Sequence, residues 1–164
     1  MKVVSNSSVL MALSRIGQLE LLSVRFPEGI LVPQAVWQEV VETGHGKPGS
    51  TEVASVHWIS VHKIEDEDLV SLLRMELDKG EAEAIALCRD QNVSVILLDE
   101  KDARRAARRM KLNVLGTVGL LIWAKRTKLI VSLREQLDNL QTQGQFRLSH
   151  SVYEEALRAV NEIE

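Results

Sequence analysis

Short apolar runs alternate with segments of helical periodicity along the whole chain. The clearest run is Val95-Ile96-Leu97-Leu98, whose consecutive aliphatic residues predict a strand that is covered on both faces. Shorter or weaker runs predict further strands at 3–4, 30–32, 58–61 and 113–115.

Apolar residues at spacings of three and four predict helices between these runs. The first helix follows the first strand directly, with Ser7 or Ser8 as its candidate cap. Pro33 is expected at the first helical position after the second strand. The other helices are predicted at about 19–22, 34–42, 65–77, 80–89, 101–110, 117–126, 132–141 and 150–161.

This alternation of strands and helices predicts the fold class, because parallel strands need a crossover connection that is usually a helix. We expect an α/β protein, a three-layer α/β/α sandwich with a central parallel sheet of about four or five strands. The length of 164 residues is that of one domain. We therefore expect a single domain over 1–164, in which the helices from about 132 onward pack on the core or on a partner.

Composition excludes several classes of protein. A hydrophobic fraction of 45% and a charged fraction of 26% exclude a disordered chain. The net charge of −3 excludes the strongly basic balance of an architectural nucleic-acid binder but permits local basic patches. One cysteine, Cys88, excludes an intrachain disulfide and a cysteine zinc cage. With no apolar run of membrane-spanning length, these features predict a cytoplasmic protein that does not enter a membrane.

Two polar residues come directly after predicted strands: Asn6 after the first, and Asp99 after Val95–Leu98. In open α/β sheets, ligands bind beyond the carboxyl ends of the strands, so both residues are candidates for a functional site. Asn and Asp are also favoured helix caps, and for either residue alone capping is an equally good explanation. Their occurrence at two strand ends favours a site.

Helical carboxylates extend this candidate site. Glu81 shares one helix face with apolar residues three, four and seven positions further on, which predicts a carboxylate on the core side. Glu83 is expected to face water or the margin of that face. The sequence Asp78-Lys79-Gly80-Glu81 also fits a capping box, which explains Glu81 equally well. Glu39 flanks the apolar side of its helix, where a solvated acid is the commoner explanation.

Taken together, Asn6, Glu39, Glu81 and Asp99 form an oxygen-donor set of the kind that Mg²⁺ or Mn²⁺ prefers. Other kinds of site have weaker support. The four histidines show no ligand spacing. No glycine-rich phosphate loop follows a predicted strand, which argues against a nucleotide-binding domain.

The helix predicted after Asp99 is strongly basic, with six Lys or Arg and one Asp between positions 101 and 111. Candidate contacts to RNA phosphates are Lys101, Arg104, Arg105 and Arg108, and Arg104, one turn beyond Asp99, is the best placed. A solvated helix face or a contact for an acidic partner explains such charge equally well. Because the chain has only three Trp, two Phe and one Tyr, a broad base-stacking platform is not expected.

Four segments resemble, in the same order, the signatures of PIN-domain proteins. They are VSNSSVLMAL (4–13), PQAVWQEV (33–40), GEAEAIAL (80–87) and LLDEKDAR (97–104). A fifth segment, GTVGLL (116–121), resembles a prokaryotic PIN-like subfamily. No single segment is specific, but the ordered set spans nearly the whole chain.

The resemblance implies a Mg²⁺- or Mn²⁺-dependent endoribonuclease, with acidic residues at the carboxyl edge of a parallel sheet. It places Asn6, Glu39, Glu81 and Asp99 at the positions of the four catalytic and metal-binding acids. Many PIN-domain proteins are toxins of toxin–antitoxin pairs of the VapC type. The implied partners are therefore an RNA substrate, an antitoxin protein and a second copy of the chain in a homodimer.

Asn6 departs from the family pattern, in which this position is usually Asp. The amide keeps an oxygen ligand but removes one negative charge, which weakens binding of a divalent ion. Two functions stay open for this reason. The first is an active endoribonuclease, and the second is a PIN-like module without catalysis that binds RNA or protein.

Overall fold

The computed structural model describes residues 1–47 and 49–163. At its centre lies a five-stranded sheet in which all paired strands are parallel, with the order β3-β2-β1-β4-β5. The strands are β1 (Val3–Ser5), β2 (Ile30–Pro33), β3 (Ile59–His62), β4 (Val95–Leu97) and β5 (Asn113–Leu115). Because β1 is central, the residues that follow it lie beside those that follow β4.

Helices connect consecutive strands and extend the chain after β5. They are α1 (Ser7–Arg15), α2 (Leu21–Arg25), α3 (Gln34–Trp37), α4 (Ser50–Ser55), α5 (Glu67–Leu73), α6 (Lys79–Asp90), α7 (Lys101–Arg109), α8 (Thr117–Arg126), α9 (Leu133–Thr142) and α10 (His150–Ala159). A π-helical segment, Gln38–Glu42, continues α3. No helix within 1–47 or 49–163 is both long and apolar enough to cross a membrane.

The sheet is covered on both faces, which confirms the predicted α/β/α sandwich. Val3 and Leu97 lie in a core that α1, α8, α9 and α10 cover. Val4 and Ile96, their neighbours along the strands, lie in a second core that α6 and α7 cover. Alternate residues of the central strands β1 and β4 are therefore buried on opposite faces, as the run Val95–Leu98 predicted, whereas the edge strands β3 and β5 contain exposed residues.

Three local predictions are wrong, and one helix was missed. Pro33 ends β2 in an extended conformation instead of starting a helix, because its φ of −76° is compatible with either state. Neither Ser7 nor Ser8 caps α1, since Asn6 occupies that position. Helix α5 is shorter than predicted, and α4 was not predicted because six residues are too few to show helical periodicity.

Candidate functional site

The pairing of β1 with β4 brings the two predicted strand-end residues to the same edge of the sheet. Ser5 is in register with Leu97, and the backbone N–H of Asn6 donates a hydrogen bond to the Leu97 carbonyl at 3.1 Å. Asp99 comes two residues after Leu97, just beyond the end of β4. Asn6 and Asp99 therefore lie at the carboxyl edge, where open α/β sheets bind their ligands.

Asn6 carries a buried oxygen without a donor. The residue is 4% exposed, and its Oδ1 has no hydrogen-bond partner among residues 1–47 and 49–163. It occupies the N-cap position of α1, but its side chain makes no capping hydrogen bond. Capping therefore does not explain this side chain. A buried acceptor left without a partner costs about 1–3 kcal/mol, and in a native fold such an atom calls for a ligand or another functional role.

Three side-chain oxygens meet at Gly80, in the first turn of α6. A Cβ on Gly80 would lie 3.3 Å from Oε2 of Glu39, 3.4 Å from Oδ1 of Asn6 and 3.6 Å from Oδ1 of Asp78. We call these three oxygens the Gly80 cluster. The predicted site residues Asn6 and Glu39 are thus together, joined by Asp78, which the sequence indicated only as a helix cap.

Glu81 is held at the start of α6 by the capping box that the sequence allowed as an alternative. The backbone N–H of Asp78 donates to Glu81 Oε1 at 3.1 Å, and the N–H of Glu81 donates to Asp78 Oδ1 at 2.8 Å. Burial raises the pKa of Glu81 to about 7, helped by the negative charges of Asp78 and Glu100 and opposed by the hydrogen bond from Asp78. Its carboxyl group can therefore exchange a proton near neutral pH.

Glu83 does not face water, which makes that prediction wrong. It is 9% exposed, and its Oε1 accepts a hydrogen bond from the backbone N–H of Ala35 at 3.1 Å. Helix α6 packs against β1, β2 and α3, so that every residue from Gly80 to Cys88 is buried and a one-sided periodicity argument fails. Glu83 caps the start of α3 and in this way fixes the helix that leads to Glu39.

Glu39 itself lies in the π-helical segment. The wider turn is closed by a hydrogen bond from the Thr43 N–H to the Gln38 carbonyl at 2.6 Å. Such π segments occur often at functional sites because the extra residue changes the direction in which side chains leave the helix. The Glu39 side chain is exposed, and its Oε2 belongs to the Gly80 cluster.

Asp99 sits at the N-terminus of α8. Its Oδ1 accepts from the backbone N–H of Thr117 at 2.8 Å, and its Oδ2 accepts from the Thr117 hydroxyl at 2.7 Å. Burial raises the pKa of Asp99, although the Thr117 hydrogen bonds and the nearby positive charge of Arg104 act in the opposite direction. Gly116 permits this close approach, since a Cβ there would lie 2.9 Å from Asp99 Oδ1.

A groove of about 590 Å³ opens beside Asp99 and contains Arg104, Gly116 and Arg147 in its walls. Arg104 is the predicted RNA contact that lies beside Asp99, and its buried Nε has no hydrogen-bond partner in the part of the chain that the structure describes. The other predicted contacts, Lys101, Arg105 and Arg108, are exposed on α7. Arg105 pairs with Asp102 at 3.8 Å, a surface ion pair of small energy.

The family of the chain follows from a match that spans it. The family model DUF3368, described as a PIN domain, matches residues 2–162. The chain belongs to the PIN-domain family. A search of curated proteins found no match. Among solved structures, this PIN domain is similar to Mycobacterium tuberculosis VapC20, described as a toxin that cleaves the sarcin-ricin loop, with 15% identity and a TM-score of 0.48 over 63% of this chain and 94% of VapC20.

The oxygen donors of this PIN domain fit a hard divalent cation. Within 1–47 and 49–163, no three His, Cys, Asp or Glu side chains form a metal-binding group. The Gly80 cluster is not such a group, because one of its three oxygen donors is the amide of Asn6. Two carboxylates and an unpartnered buried amide oxygen are ligands that Mg²⁺ and Mn²⁺ accept.

Protonation of Glu81 makes the stability of the PIN domain depend on pH. Between its ordinary pKa of 4.5 and about 7, the folded state keeps a proton that the unfolded state has released. The free energy of unfolding therefore falls as pH rises through this window, by about 1 to 2 kcal/mol.

Glu81→Gln keeps an acceptor for the capping box and removes the titrating group. We therefore expect the free energy of unfolding to fall less with rising pH in the variant. Urea unfolding in chelator at about pH 5 and about pH 8 measures the difference. The raised pKa of Asp99 acts in the same direction and leaves a residual slope. An unchanged pH dependence in Glu81→Gln would contradict this assignment.

Proposed function

We propose that this PIN domain is an endoribonuclease that uses Mg²⁺ or Mn²⁺ to hydrolyse RNA phosphodiester bonds. The observation that carries the proposal is the buried, unpartnered Oδ1 of Asn6, which lies with carboxylate oxygens of Glu39 and Asp78 around Gly80. Asp99, at the end of the strand next to β1, adds a fourth side chain at the same edge of the sheet.

The residues divide into two roles in this proposal. Asn6, Glu39 and Asp99 would hold the ion with their oxygens, and the capping box holds the Glu81 carboxyl at the start of α6. When bound, the ion lowers the pKa of a water molecule and neutralises charge on the scissile phosphate. Glu81, with its pKa of about 7, either completes the ligand set or orients the attacking water and accepts its proton.

Arg104 supports RNA as the substrate. Its side chain lies beside Asp99 at the wall of the groove, and its Nε is without a protein partner. A guanidinium in this position binds the phosphate next to the scissile bond. The exposed Lys101, Arg105 and Arg108 continue the positive charge along α7 and contact phosphates further along the strand.

A module that binds RNA or protein without catalysis is the second candidate. It is favoured by Asn6, which lowers the negative charge of the site, and by the hydrogen bonds that already occupy both oxygens of Asp99. The toxin role, the antitoxin partner and the homodimer that the family resemblance implies stay predictions.

RNA cleavage by the purified chain tests the first candidate against the second. We expect cleavage of a mixed panel of single-stranded RNAs in Mn²⁺ or Mg²⁺ and none in chelator. Asp99→Asn keeps an acceptor for the Thr117 N–H but removes the charge, and we expect a loss of roughly 100-fold or more. Asp102→Asn, an exposed acid on α7, is the matched control and should cleave normally.

Two results would count against an enzyme. Absence of cleavage under all metal conditions would favour the binding module. Equal cleavage by the original chain and by Asp99→Asn would assign the activity to a contaminating nuclease.

A further inference from the structure

An asparagine in place of the first acid leaves the Gly80 cluster short of negative charge. Of the proposed ligands Asn6, Glu39 and Asp99, Asn6 contributes an oxygen but no charge, so the set brings two negative charges where an Asp at position 6 would make three. Affinity for such cations depends on the number of charged oxygen ligands. A further carboxylate close to Asn6 would therefore strengthen the binding of a divalent cation.

We propose that Asp78 supplies the missing charge and is a further metal ligand of this PIN domain. The inference rests on the proposed divalent-metal site. Asp78 Oδ1 lies 3.6 Å from the Cβ position of Gly80, the same point that Asn6 Oδ1 and Glu39 Oε2 approach at 3.4 and 3.3 Å. Its carboxylate thus brings a negative charge to the place where the asparagine amide brings none.

A second observation points to a ligand at this place. Asn6 is only 4% exposed, and its Oδ1, which belongs to the cluster, accepts no hydrogen bond from the described residues. The carboxylate oxygens of Glu39 and Asp78 lie 3.3 and 3.6 Å from the same Cβ position of Gly80. A cation bound between these oxygens would satisfy the amide and would be attracted by both carboxylates.

Helix capping accounts for only part of the position of Asp78. The hydrogen bond from the Glu81 N–H to Asp78 Oδ1, at 2.8 Å, is that of an ordinary N-cap. It does not account for the presence of Glu39 Oε2 and the unpartnered Asn6 Oδ1 at the same place. A carboxylate oxygen has more than one acceptor direction, so the cap leaves room for a metal bond.

The two roles of Asp78 can be separated by substitution, because Asn and Ser cap helices about as well as Asp. Asp78→Asn and Asp78→Ser keep the cap and remove the charge. Asp66→Asn is the matched control, since Asp66 caps α5 in the same way through a 3.0 Å hydrogen bond from the Leu69 N–H. Asn6→Asp restores the charge at the position where the family usually has it.

Binding of Mn²⁺, followed by titration calorimetry and by the melting temperature with and without the ion, tests the proposal. We expect Asp78→Asn and Asp78→Ser to weaken Mn²⁺ binding roughly tenfold or more, and Asp66→Asn to leave it unchanged. The double variant Asn6→Asp with Asp78→Asn should bind Mn²⁺ about as well as the original chain. All variants should melt at similar temperatures without the ion.

The outcomes distinguish this inference from the proposed function. If Glu39→Gln weakens Mn²⁺ binding while both Asp78 variants bind normally, Asp78 is a cap alone and the inference is overturned. If the original chain binds no Mn²⁺, the proposed metal site fails and this inference with it. Loss of binding in both Asp78 variants without recovery in the double variant would overturn the claim that Asp78 supplies the charge missing at position 6.

Discussion

Replacing Gly80 with alanine is expected to abolish metal-dependent RNA cleavage while leaving the fold at least as stable. The new methyl group would lie within 3.6 Å of all three oxygens of the Gly80 cluster. A hydrocarbon group at this place excludes water and cations from the space between the oxygens. Since alanine favours a helix by up to about 1 kcal/mol relative to glycine, the variant should not lose stability.

Two measurements made together check this expectation. RNA cleavage and Mn²⁺ binding should each fall roughly 100-fold or more, while the free energy of urea unfolding in chelator stays equal or rises. The steric cost is small because the tightest contact, at 3.3 Å, is to the end of the flexible Glu39 side chain. Normal Mn²⁺ binding by a folded Gly80→Ala variant would place the metal site elsewhere.

The strands and most helices could be predicted from the sequence because the central strands are buried apolar runs and the helices show apolar periodicity. Strand β5 was predicted with its observed bounds, and α8 matches its predicted range of 117–126. The position of Asn6 and Asp99 at one edge also follows from the parallel topology, since both come directly after neighbouring strands. The bounds of the strands and helices depend on the local apolar pattern. The shared edge depends on the rule that parallel strands end on the same side of a sheet.

The charged residues of α6 could not be placed in this way. Periodicity predicts a buried face and an exposed face, but β1, β2 and α3 enclose α6 from several directions. Glu83 was therefore expected in water, whereas its carboxylate caps α3. Asp78 was indicated only as a cap, because Glu39 reaches the same Cβ position of Gly80 from the π-helical segment, which periodicity does not predict. The capping-box motif located Asp78 at the right helix end without indicating its neighbours.

Replacing Gly116 with alanine should also remove cleavage, but here we expect stability to fall as well. The new Cβ would lie 2.9 Å from Asp99 Oδ1 and 3.4 Å from the Leu98 carbonyl oxygen, so the Asp99 carboxylate must move. Both of its oxygens are held by Thr117, and movement lengthens the hydrogen bonds that cap α8. The loss of these bonds is expected to cost about 1 kcal/mol or more.

The two glycine variants test the Gly80 cluster and Asp99 separately. Gly80→Ala should affect Mn²⁺ binding and cleavage alone, whereas Gly116→Ala should lower cleavage roughly 100-fold and also the free energy of urea unfolding. Gly116 has a φ of −102°, which alanine adopts without strain, so any loss arises from the contact with Asp99 and not from the backbone. Full activity in Gly116→Ala would mean that the position of Asp99 is not critical, and the proposed role of Asp99 as a metal ligand would then be wrong.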